Sequence, residues 1–122
     1  MNIETFKIPI TWLDSIIPHG WGNGYIGVPK DHPWWGMDYN DVPCEVHGGL
    51  TYGKKEHPSA LKGVPTDLWW FGFDCAHYQD TPQTCPESYV DAQIKSLRQQ
   101  ALEVVGQRPN LDTPVSKDET TF

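Results

Sequence analysis

The feature that most constrains this chain is a single change of hydrophobic period. Val90, Ile94, Leu97, Ala101 and Val104 recur at three and four residues and draw one apolar stripe along a helix. Upstream, the apolar runs "FKIPITWL", "YIGV", "CEVHGGLTY" and "LWWFGFD" are short and read at a period of two. A lone amphipathic helix must bury its stripe on something, and these runs supply the surface. The expected fold is α+β: a small antiparallel sheet of about four strands packed on one C-terminal helix.

The connections follow from eleven glycines and eleven prolines. "PHGWGNGY" reads as a turn, "KDHPWWGMDYND" as a loop covering something with Trp34, Trp35 and Tyr39, and "GKKEHPSALKGVPTD" as a mobile polar connector. Pro9 places the first strand at an edge. Thr84 with Glu87 offers a capping box, with Ser88 and Asp91 as the alternative start; Gly106 ends the helix and Pro109 forbids its return. At 122 residues the chain is one domain, 1–106, with a polar, frayed tail over 107–122.

Composition excludes several classes of function. No apolar run approaches the ~20 residues that span a bilayer, and the N-terminus lacks a signal-peptide pattern, so no membrane partner and a cytoplasmic location are expected. A net charge of −7 argues against duplex nucleic acid, although a small anionic ligand is still allowed. Cys44, Cys75 and Cys85 contain no CxxC pair and read as free thiols. Six Trp and five Tyr exceed what a core of this size needs. The surplus suits stacking on a ligand or, in the Trp34–Trp35 loop, a homo-oligomer interface.

Alternation divides each strand into two faces. Ile26, Val28, Trp69, Phe71 and Phe73 belong to an apolar face, together with Val46, Gly48, Leu50 and Tyr52. The opposite face collects Tyr25, Gly27, His47, Gly49, Thr51, Trp70, Gly72 and Asp74. Three strand glycines on one face make a floor for a flat guest, with Tyr25, Trp70 and the Trp34–Trp35 loop stacking on it. His47, Thr51, Asp74 and His77 would read its edges. This leading reading is binding without turnover, with no metal and no cofactor. The bland alternative is that the glycines mark bulges and the tryptophan loop only covers the sheet.

Other chemistry competes for the same residues. His47, Asp74, His77 and Asp80 could hold a divalent ion and act as the catalytic set of a metal-dependent phosphodiesterase or other hydrolase. Cys75 with His47 or His77 could form a nucleophile and base, although a lone Cys at a strand end is more often packing. His32 and His57, each before a proline, read as turn residues, with His32 able to close over a ligand, and His19 reads as surface. Arg98 and Lys95 face solvent, Arg98 being the better anion ligand.

The segments "GYIGVPKDHPWWGMDY", "VHGGLTYG", "WWFGFDCAHYQD" and "SYVDAQIKSLRQQ" resemble a family of small, uncharacterised phage and bacterial proteins. Those proteins share His-Gly-Gly-Leu-Thr-Tyr and Trp-x-Gly-Phe-Asp-Cys-Ala-His motifs, over roughly residues 20 to 104 of this chain. Here the second motif continues Tyr78, Gln79, Asp80, so the family's usual glycine after the His is replaced. The resemblance implies a phage-like setting in a host cytoplasm. By analogy of size it implies sequestration of a nucleotide-derived immune signal to counter antiphage defence. Direct inhibition of a host defence protein through the Trp34–Trp35 loop is the remaining alternative.

Overall fold

A computed structural model describes residues 1–10, 18–59 and 65–107. It holds four strands, β1 (Glu4–Pro9), β2 (Gly22–Val28), β3 (Tyr52–Glu56) and β4 (Pro65–Phe73), a 3₁₀ turn at Tyr39–Asp41, and one helix, α1 (Glu87–Gln107). The sheet is antiparallel, in the order β1-β2-β4-β3. This is the α+β architecture expected from the period change, with the helix ending one residue past Gly106. Residues 11–13 of the first predicted strand and 108–122 of the predicted tail lie outside the described residues.

The helix stripe meets the apolar sheet face as its spacing requires. Val90, Leu97 and Ala101 are fully buried and Ile94 nearly so, against Ile26, Val28, Phe71 and Phe73. The helix contacts β1 and β2. The β4 side is covered by the loop after β2: Trp34 packs edge-on to Phe71 and Trp35 edge-on to Trp69. His32, which is buried, pins this loop to the helix. Its Nδ1 accepts from the Trp34 backbone N–H at 2.9 Å, so its Nε2 donates to the Ala101 carbonyl, also at 2.9 Å. Trp34 and His32 are therefore core elements of their own domain, and Trp35 is a partly buried cover packed against that core. Lys7 on β1 closes the other end of the helix through Glu87 at 2.8 Å and Asp91 at 2.7 Å.

Four local expectations change. Gly22 and Gly24 lie in β2 rather than in a turn, because a Cβ at Gly22 would strike the Ile8 carbonyl and one at Gly24 would sit 2.6 Å from Ile94 and Phe73. They are glycines for close approach. The third strand is not "CEVHGGLTY": Gly48 (φ 68°) and Gly49 (φ 80°) are left-handed, and Gly49 N–H closes a turn on Val46 O at 2.9 Å. β3 begins only at Tyr52 and takes up part of the predicted connector. The capping box is absent, since the Thr84 hydroxyl engages Thr81 across a turn before the helix begins.

Candidate functional site

The predicted shelf is half right as a face and wrong as a floor. Tyr25 pairs with Gly72 and Gly27 with Trp70 across β2 and β4, so these four do share one side of the sheet. The glycines are already covered. A Cβ at Gly72 would overlap the Tyr25 ring, and one at Gly27 would lie 2.9 Å from the Trp70 indole. Tyr52 also pairs with Gly72, placing its ring on this side, edge-on to Tyr25 at 5.5 Å, rather than on the apolar face. His57 completes the cluster, 4.8 Å from Phe6 and 4.7 Å from Trp70. Trp70 is 1% exposed and Tyr25 8%. Burial raises the Tyr25 phenol above its ordinary range. Gly27 and Gly72 each make room for an aromatic of this chain, so no planar guest fits between.

His47 and Gly49 lie on a loop, and the loop's hydrogen bonds explain why. Glu45 N–H donates to Gln100 Oε1 at 2.8 Å, Gln100 Nε2 donates to Glu45 O at 2.7 Å, and His47 N–H donates to Gln93 Oε1 at 2.8 Å. The extended segment "CEVH" thus pairs with amide side chains of the helix instead of with a strand. This carries the His47 imidazole to the start of α1, away from the sheet face.

There it joins residues from the second motif. His47 Nε2 donates to the Asp80 carboxylate, 2.9 Å from Oδ1 and 3.0 Å from Oδ2, and His47 Nδ1 accepts from Tyr89 Oη at 2.8 Å. Asp80 Oδ2 also accepts from His77 N at 2.9 Å and His77 Nδ1 at 2.8 Å. Cys85 Sγ stands 3.5 Å from Asp80 Oδ1 and 3.9 Å from His47 Nε2. Asp80 is 4% exposed. Burial alone would raise its carboxyl, but the hydrogen bonds from His47 and His77 outweigh it and hold the group well below the usual carboxylate range.

Two backbone bonds set the thiols in place. Gly20 N donates to Cys75 O at 2.6 Å and Trp21 N to Cys85 O at 2.7 Å. A Cβ at Gly20 would overlap that of Cys85, so this glycine lets both cysteine segments approach β2. Burial, then Cys85 beside it, pushes the Cys75 thiol up to about 12; burial also raises Cys85 and Tyr89. Cys75 is fully buried, which removes it as a nucleophile facing substrate.

Of the predicted catalytic set, His47, His77 and Asp80 converge and Asp74 stands at the edge. Asp74 Oδ2 accepts from Thr51 Oγ1 at 3.0 Å, and its Oδ1 lies 3.8 Å from His77 Nε2, beyond direct hydrogen bonding. A Cβ at Gly48 would overlap the His77 ring, so the two motifs interlock through that glycine. His47, Gly48, His77, Tyr78, Gln79 and Asp80 line a cleft of about 360 Å³. Cys85, Tyr89 and Gln93 were missed. Their four-residue spacing draws a second, polar stripe along the helix start, and that was the available signal.

A second hollow of about 540 Å³ lies between β1 and α1. Two of its three cations are engaged, Lys7 with Glu87 and Asp91, and Arg98 Nε with the Ile3 carbonyl at 2.9 Å; the third is the exposed Lys95. Arg98 therefore anchors the N-terminal segment. The chain matches no protein-family model, no curated protein and no solved structure. No helix among the described residues is long and apolar enough to cross a membrane.

Proposed function

We propose that this protein binds a small, uncharged, ring-bearing ligand in the cleft between the two motif loops, without turning it over. The observation that carries this reading is the convergence of His47, Gly48, His77, Tyr78, Gln79 and Asp80 on one concave surface. Tyr78 is 90% exposed at its rim, an aromatic ring held in water beside polar groups. His77 and Gln79 supply hydrogen bonds to a ligand's edges. Cys75, Cys85 and Asp80 are 0–4% exposed, which favours recognition over reaction through them.

The cleft lining contains no Lys or Arg, and the Asp74 carboxylate flanks it. A phosphate would meet no compensating charge there, so a nucleotide-like ligand would bind through its base and not its phosphates. What the reading keeps from the family resemblance is sequestration of a small molecule. The test is amide-resolved NMR titration with adenosine against adenosine monophosphate, alongside mass spectrometry of molecules released by heating the purified protein. Shifts confined to Gly48, His77, Tyr78 and Gln79, larger with the nucleoside, are expected. No shift at these amides with any neutral ring compound, and nothing released, would end this reading.

A further inference from the structure

Behind the cleft, four donors from separate parts of the chain come together. His47, Cys75, Asp80 and Cys85 each offer one ligand atom, and all four lie within 4.8 Å of one another. Three of them come from one stretch at intervals of five residues, Cys75, Asp80 and Cys85, and the opposite loop closes the set with His47. We propose that these four residues bind one divalent cation of the zinc class. This site shares His47 and Asp80 with the wall of the ligand cleft and adds the buried Cys75 and Cys85 from behind it.

Three observations support it. The first is distance. Zinc bonds of 2.0–2.3 Å in a tetrahedron separate the donors by about 3.3–3.8 Å. The His47–Asp80, Cys85–Asp80 and Cys85–His47 edges are 2.9, 3.5 and 3.9 Å, a few tenths of an ångström from that range. The Cys75 edges are no longer than 4.8 Å, so Cys75 closes by at most about 1 Å onto an ion. The second is burial: Cys75 and Cys85 are 0% and 2% exposed, and Asp80 is 4%. A carboxylate taken out of water needs compensation, and its ring hydrogen-bond partners among the described residues are the imidazoles of His47 and His77, not Lys or Arg. The third is donor type, because two thiols with one imidazole and one carboxylate favour zinc over magnesium or calcium.

The neighbours suit such a site as well. His77 holds the second carboxylate oxygen, leaving Oδ1 toward Cys85 and His47. On binding, both thiols release their protons to solvent. The His47 proton shifts from Nε2 to Nδ1, which then donates to Tyr89 Oη and frees Nε2 for the ion. Four protein ligands close the coordination sphere, so the ion ties the end of β4, the His47 loop and the start of α1 together instead of activating water.

The experiment uses the full chain, purified without a histidine tag and under reductant. Metal content by mass spectrometry should give one zinc per chain. Cobalt added to chelator-stripped protein should give the absorption of tetrahedral thiolate coordination. Cys85→Ser and Asp80→Asn should each weaken zinc binding by more than about 100-fold, whereas Cys44→Ser, a partly buried thiol outside the cluster, should retain it. Should the cluster variants fail to fold, the cobalt spectrum and zinc titration of the unaltered chain decide alone. Stripped protein that binds neither ion more tightly than millimolar, or zinc held equally well by both cluster variants, would overturn the proposal.

Discussion

Gln100 grips Glu45 at both backbone polar groups, its amide accepting from the N–H at 2.8 Å and donating to the carbonyl at 2.7 Å. An amide side chain has the donor and acceptor of a peptide unit, so it substitutes for one rung of a β-ladder. With Gln93 about two helical turns away, it draws the first motif out of the sheet and onto α1, and the His47–Asp80 contact follows from that displacement.

Gln100→Ala should therefore loosen the loop without melting the domain. Two hydrogen bonds at a half-exposed position are lost, worth about 1–2 kcal/mol in all. Amide hydrogen exchange should rise at Glu45 and His47 and stay unchanged at Ile26 and Phe71.

Asp80→Ala should be the most damaging single change in the site. It leaves the His47 ring N–H, the part-exposed His77 ring N–H and the His77 backbone N–H without the buried carboxylate that accepts from all three. The expected cost is about 3–5 kcal/mol, read by urea unfolding in the presence of chelator so that metal does not enter.

Gly48 and Gly49 should respond differently to alanine. Both have positive φ, and each substitution costs about 1–2 kcal/mol for that backbone alone. Only at Gly48 does the added methyl meet the His77 ring; at Gly49 nothing lies within 4 Å. Gly48→Ala should lose more stability than Gly49→Ala and should also abolish the cleft's NMR response to nucleoside.

Trp70→Ala and Tyr78→Ala separate core from ligand surface. Trp70 is buried in the aromatic sheet face, and truncating it should cost about 3–5 kcal/mol. Tyr78→Ala should leave the unfolding midpoint in place and weaken nucleoside binding by about tenfold, within the range for one stacked ring. Equal loss of binding in a folded Trp70 variant would return the ligand to the sheet face.

His32→Ala should destabilise the domain by about 1–3 kcal/mol. The Ala101 carbonyl and the Trp34 N–H both lose a buried partner. Binding at the cleft should be unaffected, because the His32 link lies at the other end of the helix from Tyr89.

The helix stripe was legible because burial of one helical face needs residues at fixed offsets, and Val90, Leu97 and Ala101 hold them. The pairing of faces in β2 and β4 was legible for the same reason at a period of two. The strand reading of "CEVHGGLTY" failed because alternation cannot tell a sheet partner from a row of helix amides. Two adjacent glycines after His47 were the turn signal that should have broken it.

Local pattern, then, settles what repeats along one element: the single helix, the two-faced strands, and that the motifs carry polar groups at an apolar strand's end. Which groups meet depends on distances between elements far apart in the chain. Tyr25 and Trp70 filling the space above strand glycines, and His47 turning to Asp80 and Cys85, are decided by tertiary packing. A glycine specifies only that something comes close, and whether that is a ligand or the protein's own ring depends on what the folded neighbours leave room for.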